Sequence, residues 1–102
     1  MKQYDVLTSG YVSMDRIIKV LSPLRVGFTS LVENADNAKI YYGGCSVNIA
    51  YELARLGMKA VPYIRVGEDW REIGFYDYLQ KGGVCMGAIA EVPGETTSNC
   101  YL

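Results

Sequence analysis

The chain reads YGGCSVNIA from Tyr42 to Ala50, and the fold is decided by this stretch. The adjacent glycines Gly43 and Gly44 permit backbone conformations that other residues avoid, and they let a ligand approach the main chain closely. Apolar residues then recur at helical spacing as far as Gly57, which predicts a short helix that ends there. Asn48 lies one turn into this helix, so its amide is expected to face whatever occupies the helix mouth.

The rest of the chain alternates between strand-like and helix-like patterns. A second helix is predicted over residues 69–81. Strands are predicted over residues 4–9, 16–20, 59–66 and 85–92, and from residue 96 onward. This alternation predicts right-handed crossovers and an α/β fold with a mainly parallel sheet.

Local signals refine three of these elements. Residues 28–33 and 39–42 are two β-like runs around a turn-rich segment, which predicts a β-hairpin. Pro62 cannot donate to a sheet ladder, so regular pairing of its strand is expected only from about Tyr63. Asp69 is predicted to cap the second helix together with an acidic residue three positions later.

Composition bounds the kind of protein. The 102 residues fit one domain, and a chain that is 50% hydrophobic and 21% charged is of globular type. A formal net charge of -1 argues against binding to nucleic acid. The sequence has no apolar run near the ~20 residues of a membrane span and no signal peptide at its start, so no membrane contact and a cytoplasmic location are expected.

The cysteines and the missing histidine limit the chemistry. Cys45, Cys85 and Cys100 are odd in number and fit no metal-binding repeat, so they are expected to be reduced and mostly buried. The sequence has no His, which excludes Ser-His-Asp triads, Cys-His pairs and His-based zinc sites.

Two places in the sequence are candidates for ligand contact. Residues 11–15 are predicted to form a loop at the carboxyl end of a first, buried strand, where open α/β sheets bind ligands, so Asp15 is one candidate and a solvated Asp is the alternative. The glycine pair before the helix is the other. It is compatible with a phosphate cradle or with close helix–sheet packing alone, but it matches neither a Walker loop nor a dinucleotide fingerprint.

The spacing of several small residues around one Asn gives a resemblance to a known family. Asn48 lies four residues after Gly44, Gly57 seven after Ala50, and Gly67 ten after Gly57. This array resembles the N-terminal signature of the ribokinase-like (PfkB) carbohydrate kinases, and the order of the surrounding segments is similar over essentially the whole chain.

The resemblance implies a fold and a set of site residues. It implies the N-terminal part of a ribokinase-like three-layer α/β sandwich over residues 1–102, with a mainly parallel sheet and a small β lid whose strands lie within residues 16–42 and 96–102. It also implies that Asp15, Gly43, Gly44 and Asn48 hold the hydroxyls of a sugar or nucleoside-like substrate.

The resemblance further implies a division of labour within a longer protein. ATP and Mg²⁺ are expected for the full-length parent and none for this portion alone, because the family's catalytic Asp and ATP-binding segments belong to a C-terminal half that has no counterpart here. The chain is therefore expected to be an N-terminal portion that is inactive alone, and a homodimer through the lid strands is a further expectation. A non-catalytic α/β binding or interaction module is the alternative, and a small nucleotide-binding protein is a third hypothesis supported only by the glycine pair.

Overall fold

Strands and helices alternate along the chain in the computed structural model, which describes residues 3–23, 25–32 and 39–102. The strands are β1 Val6–Ser9, β2 Ser13–Arg16, β3 Tyr41–Gly43, β4 Ala60–Gly67, β5 Ile89–Val92 and β6 Asn99–Tyr101. The helices are α1 Cys45–Arg55 and α2 Phe75–Gly82.

The main sheet has the order β1-β4-β5 and is entirely parallel. This confirms the predicted α/β fold with a mainly parallel sheet. Helix α1 packs on β1 and β4, and residues of α2 join the same apolar core. Ile64 and Val66 of β4 are buried in that core, whereas Tyr63, directly before Ile64, is 64% exposed on the other face. In the part of the chain that the structure describes, the sheet and one helical layer are thus two layers of the sandwich.

Pro62 does not delay the pairing of its strand, contrary to the expectation from sequence. The ladder between β1 and β4 is regular from Val6 opposite Ala60 and includes Thr8 opposite Pro62. The carbonyl of Ala60 and the N–H of Ile64 both bond away from β1, to Cys85 and Ala88. The missing N–H of Pro62 therefore lies on the side of β5, before that strand begins, and the ladder with β1 loses nothing.

A second, small sheet has the order β3-β2-β6, in which β2 runs antiparallel to β3 and parallel to β6. The second strand was predicted over residues 16–20 with residues 11–15 as a loop, and this is wrong: β2 is Ser13–Arg16. Met14 is fully buried, and its N–H donates to the carbonyl of Ser98 at 2.8 Å. Burial of one apolar side chain and pairing on both sides make a strand of a segment that is otherwise polar.

The predicted hairpin is also wrong where the structure describes it. Val32 forms an antiparallel bridge with Val20, so the run that begins at residue 28 pairs backward in the chain. Residues 41–43 form β3 and pair with β2 instead. Residues 33–38, which contain the predicted turn, lie outside the described residues.

Helix α1 forms as predicted, and Gly57 follows it with a φ of 93°. Val47 and Ala50 are fully buried against the sheet. The apolar stripe is narrower than its sequence implies, because Ile49 is 51% and Leu56 78% exposed.

Helix α2 begins at Phe75 rather than directly after Asp69, and the predicted cap is wrong. Gly74, with a left-handed φ of 83°, precedes the first helical residue, and no side chain caps the helix. Residues 68–74 are turns, and the carboxylate of Asp69 accepts hydrogen bonds from Thr97 instead. The last two strands are shorter than predicted, and β1 is half exposed rather than buried, with Leu7 at 66% exposure.

An aromatic cluster joins β3 to both helices. Tyr78 of α2 stacks on Tyr51 of α1 with ring centroids 4.4 Å apart, and it contacts Tyr42 of β3 at 4.7 Å. The hydroxyl of Tyr42 donates to the carbonyl of Ile73 at 2.6 Å. Burial, followed by the nearby Tyr51 and Glu52, raises the pKa of Tyr78 above its ordinary value, and Arg55 opposes the shift.

Neither helix of the described residues is long and apolar enough to cross a membrane.

The first prediction concerns the corrected burial of β1 and β2. Met14→Ala removes a fully buried side chain and is expected to lower the free energy of unfolding by about 2–5 kcal/mol. Leu7→Ala, the control, changes a side chain that is 66% exposed and should cost less than about 1 kcal/mol. Urea unfolding followed by circular dichroism measures both. Equal costs would contradict the described burial.

The second prediction concerns pH. The folded-state pKa of Tyr78 lies above the unfolded value of 10.0, so its neutral form contributes stability that is complete below pH 10.0 and is lost as pH rises through the folded pKa. The urea midpoint of the unmodified chain should fall as the pH rises from 8 into the alkaline range. This fall should be smaller in Tyr78→Phe, because phenylalanine has no hydroxyl to ionise. Tyr63→Phe, at an exposed position, is the control and should leave that fall unchanged.

Candidate functional site

A cleft of about 440 Å³ lies where the small sheet meets the beginning of α1. Its walls come from four segments: the loop after β1, strand β2, the first turn of α1, and the chain around β6. The polar side chains that line it are those of Tyr11, Ser13, Asp15, Asn48, Ser98 and Asn99, and Cys45 and Cys100 line it as well. Because residues 85 positions apart meet here, the cleft exists only in the folded chain.

Asp15 reaches the cleft from β2, where its side chain is half-buried. The hydroxyl of Ser13, two residues earlier on the same face of the strand, donates to Oδ1 of Asp15 at 2.5 Å. The other carboxylate oxygen lies against Gly43 of the neighbouring strand, where an added Cβ would be only 2.8 Å from Oδ2. Ser13 and Gly43 together fix the orientation of the carboxylate.

Gly44 sets the position of α1. It has a φ of 103°, and a Cβ at this residue would lie 2.5 Å from the carbonyl oxygen of Tyr11. Only glycine combines that conformation with so close an approach. No side chain caps α1 and its first turn has no acidic residue, so the first N–H groups of the helix have no side-chain partner among the described residues.

Asn48 is exposed and lines the cleft from the first turn of α1. Its N–H donates to the carbonyl of Gly44 at 2.9 Å, the first regular bond of the helix. The backbone of Asn48 is thus fixed, while its amide remains on the cleft side.

The structure brings three of the four residues predicted from sequence into one cleft. Asp15, Gly44 and Asn48 line it, and Gly43 lies behind Asp15. Asp15 lies on a strand and not in the predicted loop. The assignment of these residues to sugar binding stays a prediction.

Sequence reasoning missed the other lining residues. Ser13 could have been found, because alternation along a strand puts positions 13 and 15 on one face. Asn99 accepts a hydrogen bond from Arg16 Nε at 3.3 Å, and Cys100 lies opposite Asp15 in the ladder. No local pattern reveals a parallel pairing between segments so far apart in sequence.

The cysteines differ from expectation in one respect. All three are free, but Cys45 is exposed and Cys85 and Cys100 are half-buried, so none is fully buried.

The charge of the cleft bears on the kind of ligand. Among the side chains that line it and that the structure describes, Asp15 is the only charged one. A lone carboxylate repels a phosphate and accepts hydrogen bonds from hydroxyls, so the cleft is better suited to a neutral polyhydroxyl than to an anion.

A larger cleft of about 680 Å³ lies on the open face of the main sheet and shares Tyr11, Val12 and Ser98 with the first. None of the described residues that line it carries a carboxylate, and its charged member is Arg65. We regard the smaller cleft as the candidate site, because it holds the carboxylate and the amide together. Within residues 3–23, 25–32 and 39–102, no group of three or more His, Cys, Asp or Glu side chains is placed to hold a metal ion.

No family model matches this sequence, and no curated protein does. Solved structures do match. The nucleoside kinase of Methanocaldococcus jannaschii, an archaeal member of the ribokinase family, has a TM-score of 0.83 and 22% identity over 98% of this chain and 32% of its own. Ribokinase from Cryptococcus neoformans var. grubii serotype A, in complex with ADP, has a TM-score of 0.75 and 23% identity, over 94% of this chain and 29% of its own.

Fructokinase of Halothermothrix orenii has a TM-score of 0.74 and 24% identity, over 95% of this chain and 32% of its own. The chain thus spans about a third of the length of these kinases. At such identities the likeness shows the fold. The chain has the ribokinase-like fold, in the form of its N-terminal portion.

Proposed function

We propose that this chain forms the sugar-binding portion of an ATP-dependent carbohydrate kinase that phosphorylates a hydroxyl of a sugar or nucleoside-like substrate. The observation that carries the proposal is the meeting of Asp15 and Asn48 in one cleft at the mouth of α1. The ribokinase-like fold supports it, since the structural neighbours include a nucleoside kinase, a ribokinase and a fructokinase.

The chemistry of the cleft matches a polyol. Adjacent hydroxyls of a sugar both donate and accept hydrogen bonds. In the proposed complex Asp15 accepts from two hydroxyls, with its carboxylate already oriented by Ser13 and Gly43. The amide of Asn48 donates to one hydroxyl and accepts from another. In the same proposed complex, N–H groups at the start of α1, which no side chain caps, supply further donors.

Phosphoryl transfer requires more than this cleft. It needs a base near the accepting hydroxyl, a nucleotide site and cations that neutralise the transferred group. The described residues provide no cluster of metal-ligating side chains, and the glycine pair is not a Walker loop. The residues that the structure describes therefore do not fit ATP and Mg²⁺. We assign both to the remainder of a longer protein, with this chain orienting the sugar. Homodimerisation through the lid strands within residues 16–42 and 96–102 belongs to the same proposal.

The experiment that tests this function compares two proteins. A longer protein that contains these residues is assayed for ADP formation with ribose, fructose and nucleosides as acceptors, and the 102-residue chain is assayed in parallel. We expect turnover of at least one acceptor by the longer protein and none by the chain alone. Failure of the longer protein on the whole panel would favour the non-catalytic binding module. ATP consumption by the purified chain would contradict the assignment of ATP to the remainder.

A further prediction addresses the site residues. In the longer protein, Asp15→Asn should raise the sugar KM roughly 10- to 100-fold, since a hydrogen bond to a charged group contributes about 1.5–3 kcal/mol. Asn48→Ala should also raise the KM. Thermal melting should be nearly unchanged in both, because Asp15 is only half-buried and Asn48 is exposed.

Asp77→Asn serves as the matched control, because Asp77 is an exposed carboxylate in the first turn of α2. It should leave the KM unchanged. A large fall in melting temperature with an unaltered KM in Asp15→Asn would show that Asp15 has a structural role instead.

A further inference from the structure

The chain passes from the main sheet to the small sheet through a hydrogen-bonded junction. On one side is the end of β4 with the residues after it, 67–69, and on the other are residues 94–97, which lead into β6. This junction lies outside the cleft, but the segment that leaves it forms one wall of the cleft.

Thr97 is the centre of the junction and is only 2% exposed. Its N–H and its hydroxyl both donate to Oδ1 of Asp69, each at 2.8 Å. Its hydroxyl oxygen accepts from the N–H of Gly67 at 3.0 Å. The buried hydroxyl is thus satisfied as donor and acceptor, and two of the three bonds go to a carboxylate, which makes them stronger than bonds between neutral groups.

The two backbones are in direct contact at Gly67. A Cβ there would overlap the backbone of Thr96 and Thr97, so the close approach requires glycine. The N–H of Glu68 donates to the carbonyl of Glu95 at 3.0 Å and extends the junction by one residue.

The residues directly after Thr97 reach the cleft. The carbonyl of Ser98 accepts from Met14 of β2, and the amide of Asn99 donates to the carbonyl of Thr97 at 3.2 Å. Ser98, Asn99 and Cys100 then line the cleft, with Cys100 opposite Asp15. Strand β6 has three residues, and pairing with β2 alone is a weak anchor for so short a strand.

We infer that Asp69 and Thr97 are positioning residues of the candidate site. They hold the beginning of β6 against the end of β4, and this fixes the wall of the cleft that faces Asp15. The inference depends on the proposed function only for the identity of the ligand. It also gives a role to the carboxylate of Asp69, which the sequence had suggested as a helix cap.

The cysteines of the chain provide a test that needs no ligand. Cys100 lies on β6, whereas Cys85 lies before β5 and its N–H donates to the carbonyl of Ala60 in the main sheet. Alkylation rates of both thiols are measured by mass spectrometry on the 102-residue chain. Asp69→Ala and Thr97→Val should each accelerate alkylation of Cys100 about tenfold through local opening, with Cys85 changed less than about twofold.

Two control variants keep the local chemistry. Thr97→Ser retains the hydroxyl, and Glu72→Ala removes an exposed carboxylate from the same turn as Asp69. Both should leave the rate at Cys100 within about twofold of the unmodified chain. An unchanged rate at Cys100 in Asp69→Ala and Thr97→Val would overturn the inference. Equal acceleration at Cys85 would also overturn it, because the junction would then stabilise the whole fold. Circular dichroism identifies any variant that is unfolded. If Asp69→Ala or Thr97→Val is unfolded, the alkylation rate of Cys100 in the other one tests the inference.

The sugar KM of the longer protein separates this inference from the proposed function. We expect Thr97→Val to raise the KM severalfold. Thr97→Ser, which keeps the hydroxyl, should have the KM of the unmodified protein. Acceleration at Cys100 with an unchanged KM would overturn the positioning role. If the longer protein uses no acceptor and Cys100 still responds, the proposed function fails and the junction stands. If the longer protein phosphorylates an acceptor and the alkylation rate of Cys100 is unchanged in the variants, the positioning role fails and the proposed function stands.

Discussion

The contact between Gly44 and the carbonyl oxygen of Tyr11 is the constraint on which the rest of the structure depends. It brings the beginning of α1 against the loop after β1, closer than any side chain at position 44 would allow. The hydroxyl of Thr8 donates to the carbonyl of Ser46 at 2.9 Å and holds the same two segments together. Because β2 begins two residues after Tyr11, this one approach also carries Asp15 to the mouth of the helix.

Much of the main sheet and of α1 could be predicted, because local patterns determine them. The glycine pair, the apolar periodicity that follows it and Gly57 define α1 within its own sequence. The same local information places Asn48 in the first turn. Pro62 was misjudged because a proline interferes only on the side to which its N–H would point, and that side depends on the register with two other strands.

The remaining part of the candidate site could not be predicted, because long-range pairing creates it. Asp15 was recognised as a candidate but placed in a loop, since a strand of sequence SMDR has little intrinsic preference and is formed by its neighbours β3 and β6. Asp69 shows the same limit. Its spacing to Glu72 is typical of a helix cap. Its carboxylate instead accepts hydrogen bonds from Thr97, which lies 28 residues away in the sequence.

Strands β2 and β3 are antiparallel neighbours in the small sheet although they are far apart in sequence. Asp15 lies opposite Tyr41, so the chain leaves this pair of strands after β2 and returns to it at the adjacent position in β3. Closing a loop between fixed ends becomes only slightly more costly as the loop grows, by about 0.6 kcal/mol for each doubling of its length. Exchange of the segment between β2 and β3 for a longer or shorter one would therefore leave the carboxylate of Asp15 and the amide of Asn48 in place, without redesign of the core.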